Sequence, residues 1–230
     1  MTRAAVVGAS GFTGGELCRL VDGHPEFELA QATSRSYTNR TLGNVHPNLR
    51  HVDLRFSDPE ELESVDVLFA ATPHGVSMGR IDDFRDAADT VVDLSADFRL
   101  PEESYYEEWY DGHERPELLA EAEYALPELN RESLPGADLI AAGGCNATAT
   151  LLGLLPLYED GILSGDERIV VDVKVGSSEG GATGSAASHH AERSGIVRPY
   201  APTSHRHEAE IDAYLGARVS FTVHAVDMIR

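Results

Sequence analysis

An α/β architecture, with a doubly wound parallel sheet followed by a second, α+β domain, is what this sequence predicts, on three observations. Short apolar runs alternate with helix-like stretches through the first two thirds of the 230 residues. A glycine-rich turn, Gly8-Ala9-Ser10-Gly11-Phe12-Thr13-Gly14-Gly15, directly follows the first of those runs. Past residue 144 the pattern changes to longer segments of alternating polarity, as in strands with one wet face. Strands separated by helices require crossover connections, and these build parallel sheets covered by helices.

Residues 4–7 are the first expected strand. The glycine-rich turn feeds a helix over 16–21, with Leu17, Leu20 and Val21 on one face, that stops near Gly23. Further strands are expected at 28–33, 65–71, 90–95 and 137–142. The turn Thr72-Pro73-His74-Gly75 follows the third run. Gly143-Gly144 leads into Cys145 and a helix opening at Asn146. Strand-like alternation returns at 168–175 and 219–226, around a Gly/Ser-rich loop at 176–181. The expected division is a first domain of 1–144 and a second of 145–230. Nothing that reads as a closing element follows the last strand, so the second domain is expected to be incomplete at its C-terminus.

Composition narrows the function classes. The chain carries 39 acidic residues against 18 basic ones, a formal net charge of −21. Lys174 is its one lysine; the other basic residues are arginines. Dispersed acidity of this kind suits a protein kept soluble at high salt, where self-repulsion is screened. It speaks against nucleic acid, whose binding needs clustered basic residues. Two distant cysteines, Cys18 and Cys145, show no framework spacing, so a reduced, cytoplasmic setting is expected. Met1-Thr2-Arg3 runs straight into a strand and leaves no room for a signal peptide, and no apolar run approaches membrane-spanning length.

Cys145 is the candidate nucleophile. It follows an apolar strand-like run and two glycines and opens a helix, where unpaired N–H groups and the helix dipole favour a thiolate. The glycines leave room for a substrate to approach sulfur. The plain alternative is a small buried hydrophobe. His207 and Glu210 lie one helical turn apart, so a carboxylate can orient an imidazole there, and a neutral histidine near a thiol can move its proton. Solvated surface histidines are the alternative reading. Zinc held by Cys145, His205 and His207 would lack a second nearby cysteine, and no metal is expected.

The turn Gly8-x-x-Gly11-x-x-Gly14, placed between a strand and a helix, fits a dinucleotide pyrophosphate at a helix N-terminus, although its spacing is not G-x-G-x-x-G. After the second strand stands Ser34-Arg35-Ser36, where an NAD site usually carries an acid. An arginine flanked by hydroxyls suits the 2′-phosphate of NADP(H). Expected cofactor contacts are therefore Gly8, Ser10, Gly11, Phe12, Thr13, Gly14, Ser34, Arg35 and Ser36. Short-chain dehydrogenase chemistry is excluded, because the residue four before Lys174 is Val170 and not tyrosine.

Taken together, these stretches resemble the N-acetyl-γ-glutamyl-phosphate reductase family. The likeness runs through 8–17, Thr72-Pro73-His74-Gly75, 93–100 (DLSADFRL), 124–129 (YALPEL), 144–149 (GCNATA) and His205-Arg206-His207, in family order along the chain. The segments at 174–181 and 187–195 resemble the branch whose substrate hangs from a small acidic amino-group carrier protein, LysW. That resemblance implies a Rossmann-like NADP-binding domain and a catalytic, dimerising α+β domain. It implies reduction of carrier-bound γ-glutamyl phosphate or 2-aminoadipyl 6-phosphate to a semialdehyde through a Cys145 thioester, in arginine or lysine biosynthesis. His207 oriented by Glu210 would then move the proton. Substrate contacts are implied for Arg99, Asn146, Lys174, Ser177, His189, Arg193 and His205. Lys174, Arg193, Arg198 and Arg206 are the positive charges expected to meet an acidic carrier.

A homo-oligomer built on the second-domain sheet is also implied. Relatives are longer and place a cofactor-contacting asparagine beyond the end of this chain. Three alternatives stay open: the N-acetyl enzyme acting on a free substrate, aspartate-semialdehyde dehydrogenase, and a non-catalytic NADP-binding or carrier-docking module. The His205-Arg206-His207 segment and the 93–100 run speak against the second.

Overall fold

A computed structural model describes residues 1–165 and 167–229. Asp166 and Arg230, the last residue of the expected second domain, lie outside the described residues. The chain forms two compact units, one of Met1–Glu103 and Gly112–Ala142, the other of Ser104–Asp111 and Gly143–Arg230.

The first unit is built in chain order from β1 (Thr2–Val7), α1 (Phe12–Asp22), β2 (Phe27–Ala32), α2 (Leu42–Val45), β3 (Val65–Ala70), α3 (Val76–Ala87) and β4 (Ala88–Asp93). After α4 (Glu103–Trp109), which from Ser104 on groups with the second unit, come β5 (Ala122–Ala125), α5 (Pro127–Asn130) and β6 (Leu139–Ala142). The strands lie in the order β2-β1-β3-β4-β6-β5, and each pairing is parallel. This is the doubly wound sheet that the strand–helix alternation predicts.

Ala4, Ala5, Val6 and Val7 of β1 are all buried, as a central strand covered on both faces must be. One core cluster joins Val6, Ala9, Cys18, Ala32, Leu42, Leu49 and Phe56. The first helix starts at Phe12, four residues earlier than expected, and so contains Gly14 and Gly15. Both glycines serve close packing: a Cβ on Gly14 would strike the Gly8 carbonyl, and one on Gly15 the His46 ring. Strand β5 is not foreseen by the alternation, because it is four residues long, sits at the sheet edge and buries only Tyr124.

The second unit contains α6 (Cys145–Glu159), β7 (Ile169–Val175), α7 (His190–Arg193), β8 (Val197–Tyr200), α8 (His207–Leu215) and β9 (Val219–Val226). Its sheet runs β7-β9-β8, with β7 and β9 parallel and β8 antiparallel to β9. One face holds a core of Val175, Ile211, Ala217, Phe221, Val223 and Ala225. The other presents Val170, Asp172 and Lys174 to solvent, the wet face that the alternation predicts. Strand β8 is hidden in the sequence by Pro199, which only an edge strand tolerates. Among the described residues no helix is long and apolar enough to cross a membrane.

Candidate functional site

In the second unit, Cys145 is the first residue of α6 and is exposed, whereas Cys18 is buried in the first unit with its thiol pushed up to about 12 by desolvation. Only Cys145 therefore offers an accessible thiol. The N–H groups of Cys145, Asn146 and Ala147 precede the first bond of the helix, from Thr148 N–H to the Gly144 carbonyl at 2.8 Å. Asn146 is buried beside the sulfur, with Oδ1 at 3.8 Å from Sγ.

Helix α8 delivers His207 and Glu210 to this turn. Glu210 is wholly buried, and its Oε2 accepts the Gly144 N–H at 2.8 Å. A Cβ on Gly144 would lie 2.5 Å from His207 Nε2 and 2.6 Å from Glu210 Oε1, so glycine is there because the space is taken. The imidazole Nε2 stands 4.0 Å from Glu210 Oε1, beyond hydrogen-bond reach. The direct bond of Glu210 holds the backbone before the cysteine.

The two histidines differ in setting. His205 Nδ1 accepts the His207 N–H at 3.2 Å, and its ring lies 5.2 Å from Phe221 and 5.8 Å from Tyr200. Burial, and next the charge of Arg206, hold its basicity below the ordinary histidine range. It is a packed ring, whereas His207 lies against the cysteine turn. Arg206 stands over the Tyr110 ring at 5.6 Å.

The other expected substrate residues of this unit have local partners of their own. Lys174 lies on the wet face of β7, 2.6 Å from Asp172, which also meets His224 Nδ1 at 2.6 Å. Ser177 N–H bonds the Met228 carbonyl, and His189 caps α7 through Nδ1. Arg193 is buried, with one donor to the Val175 carbonyl at 3.3 Å.

In the first unit, the expected cofactor residues come together at the carboxyl ends of β1 and β2. Gly11 caps α1 without a side chain, and no acidic residue occupies the first turn, so its N–H groups suit an anion. Ser34 Oγ donates to Ser10 Oγ at 2.8 Å, joining the two turns. Arg35 is exposed and only loosely paired with Glu60, at 3.4 Å. Helix-start N–H groups, hydroxyls and an available guanidinium all fit a dinucleotide with a 2′-phosphate. Arg99 spends Nε on the Ala142 carbonyl and Nη2 on that of Leu94, both at 2.8 Å.

Sequence reasoning passes over Asp93, Asp97 and His46, all of them at the carboxyl edge of this sheet. His46 bonds the Ala9 carbonyl at 2.8 Å beneath the glycine turn. Asp93 and Asp97 fall inside the 93–100 run, and their clustering with Ser77 and Ser95 is a fact of three dimensions.

Residues 3–137 match the family described as semialdehyde dehydrogenase, NAD binding domain, and 145–230 match semialdehyde dehydrogenase, dimerisation domain. The chain belongs to the semialdehyde dehydrogenase family. Within that family, a Haloarcula marismortui protein named LysW-L-2-aminoadipate/LysW-L-glutamate phosphate reductase is 78% identical over 99% of this chain. A Thermococcus kodakarensis protein of the same name is 51% identical over 100% of it. The chain spans 66% of the length of the Haloarcula relative and 67% of the Thermococcus one. Among solved structures, aspartate semialdehyde dehydrogenase II from Vibrio cholerae shares the fold, with a TM-score of 0.73 at 16% identity over 100% of this chain and 71% of that one.

Proposed function

We propose that this chain is an NADPH-dependent acyl-phosphate reductase acting on γ-glutamyl phosphate or 2-aminoadipyl 6-phosphate borne by a small acidic carrier protein. The observation that supports it best is the exposed Cys145 at a helix start, with His207 and Glu210 packed around Gly144. The names of the relatives supply the substrate class.

Cys145 Sγ attacks the acyl carbon, the carbon–oxygen bond to phosphate breaks, and phosphate leaves with the electron pair, giving a thioester. N–H groups at the start of α6 stabilise the oxyanion. The Gly8–Gly14 turn, Ser10, Ser34, Arg35 and Ser36 would hold NADPH, which would supply a hydride to this thioester. His207, carrying the proton taken from the Cys145 thiol, would donate it to the resulting oxyanion to give a thiohemiacetal. His207 accepts the hydroxyl proton as the carbon–sulfur bond breaks, releasing semialdehyde and the Cys145 thiolate. His207 is the better base of the two histidines, because the His205 Nδ1 is engaged by a backbone N–H. Arg99, Asn146 and Arg193 are the proposed substrate contacts. Arg198 and Arg206 lend positive charge where an acidic carrier would otherwise be repelled. The sheet of the second unit is the proposed self-association surface.

NADPH oxidation at high salt tests the proposal, with carrier-bound glutamyl phosphate compared with free N-acetylglutamyl phosphate and with Cys145→Ala as control. Turnover with the carrier alone, lost in the variant, is the expected result. Turnover with the free substrate would move the chain to the N-acetyl branch. Silence with both substrates would leave a binding module.

A further inference from the structure

The turn that follows β3 is held by a buried carboxylate that the proposed reaction does not use. Asp97 is wholly buried; its Oδ1 accepts the Gly75 N–H at 2.8 Å and its Oδ2 the Met78 N–H at 2.9 Å. His74 Nδ1 lies 2.6 Å from Oδ1. Asp97 N–H donates to Ser95 Oγ at 3.0 Å, and its carbonyl accepts from His113 Nε2 at 2.5 Å. Ser95 Oγ in turn donates to Asp93 Oδ2 at 2.7 Å, and Ser77 Oγ to Asp93 Oδ1 at 2.6 Å. Thr72 Oγ1 closes the set at 2.8 Å from Ser77 Oγ. Without these bonds the turn would be loose, because Gly75 has φ of 86° and a Cβ there would meet nothing within 4 Å.

The place of this turn gives the arrangement its meaning. Strand β1 has β2 on one side and β3 on the other, and in such sheets ligands occupy the crevice outside the carboxyl ends where the winding reverses. The two turns flanking that crevice adjoin, since a Cβ on Gly8 would strike the Ala71 carbonyl. A dinucleotide with its 2′-phosphate at Ser34–Ser36 and its pyrophosphate at the start of α1 must extend its other half over β3, against Thr72–Gly75.

We propose that Asp97 is a positioning residue that fixes the 72–75 turn as the wall against the nicotinamide half of the cofactor. This rests on the NADP(H) reading above. Asp97 touches no cofactor atom; it acts through Gly75 and His74.

The test is a pair of fluorescence titrations on the full chain at high salt, with NADPH and with adenosine 2′,5′-bisphosphate, which lacks the nicotinamide half, alongside thermal melts. Asp97→Asn is expected to weaken NADPH about tenfold, the scale of one charge-assisted hydrogen bond, and to leave the fragment unchanged. Unchanged NADPH affinity, or equal weakening of both ligands, overturns the proposal. Where Asp97→Asn does not fold, His74→Leu decides, with about threefold weaker NADPH and an unchanged fragment expected; an unchanged NADPH affinity overturns the proposal there too. A wild-type chain that binds neither ligand would refute the cofactor reading itself, a different and separately visible failure.

Discussion

Two helices of this chain, α3 in the first unit and α6 in the second, begin at a glycine and are completed by a carboxylate from elsewhere in the fold. At α3, Asp97 takes the N–H groups of Gly75 and Met78; at α6, Glu210 takes that of Gly144. A glycine cannot cap a helix with a side chain, so in both places a distant acid supplies the missing acceptor. The reasons for the glycines are opposite. Gly75 has a left-handed backbone in open space, whereas Gly144 has an ordinary φ of −64° and no space at all. One glycine is chosen by conformation and the other by its neighbours, and the sequence writes both with the same letter.

Substitution by alanine separates them most sharply. Gly144→Ala drives a methyl into His207 and Glu210, and turnover is expected to fall by about a hundredfold or more as the site shifts by a fraction of an ångström. A steady-state assay with the carrier-bound substrate reads it, and activity near wild type would remove the crowding argument.

The acids can be compared next by titration. Burial pushes the Asp93 carboxyl up to about 6, against the stabilising bonds from Ser77 and Ser95. Because the folded value is raised, the stability it contributes is full below about 3.8 and is lost as pH rises through about 6. Asp93→Asn should therefore stabilise the first unit above that range, by at most about 3 kcal/mol, and flatten its melting temperature across it. A pH profile unchanged by the substitution would contradict this.

Glu210→Gln tests the other acid. The amide oxygen can still accept the Gly144 N–H, but the charge beside His207 is gone, so turnover should drop about tenfold with little change in melting. Equal loss in both readouts would make Glu210 a purely structural cap. Smallest of all, Gly75→Ala should cost about 1–2 kcal/mol of left-handed strain, read by thermal melting, and an unchanged melting temperature would contradict it.

Much of this was legible in advance. The alternation of apolar runs and the glycine turn mark the doubly wound sheet, and the wet-faced pattern of 168–175 marks β7, because both follow from burial periodicity. Strands β5 and β8 are not legible, since four residues at an edge, one pair of them Arg198-Pro199, carry no period. The pairing of His207 with Glu210 is visible as helical spacing, whereas the bond from the Gly144 N–H to Glu210 is not, because it joins residues far apart in the chain. Asp97 stays hidden because its partners are backbone N–H groups about twenty residues away, which no side-chain pattern announces.

The lone Lys174 has a practical consequence. An acylating reagent meets one side-chain amine in the chain, besides the N-terminal one. That amine stands on the wet face of β7, bonded to Asp172. Its rate of modification, followed by mass spectrometry over a range of protein concentrations, reports from a single atom whether that face is open to water or covered.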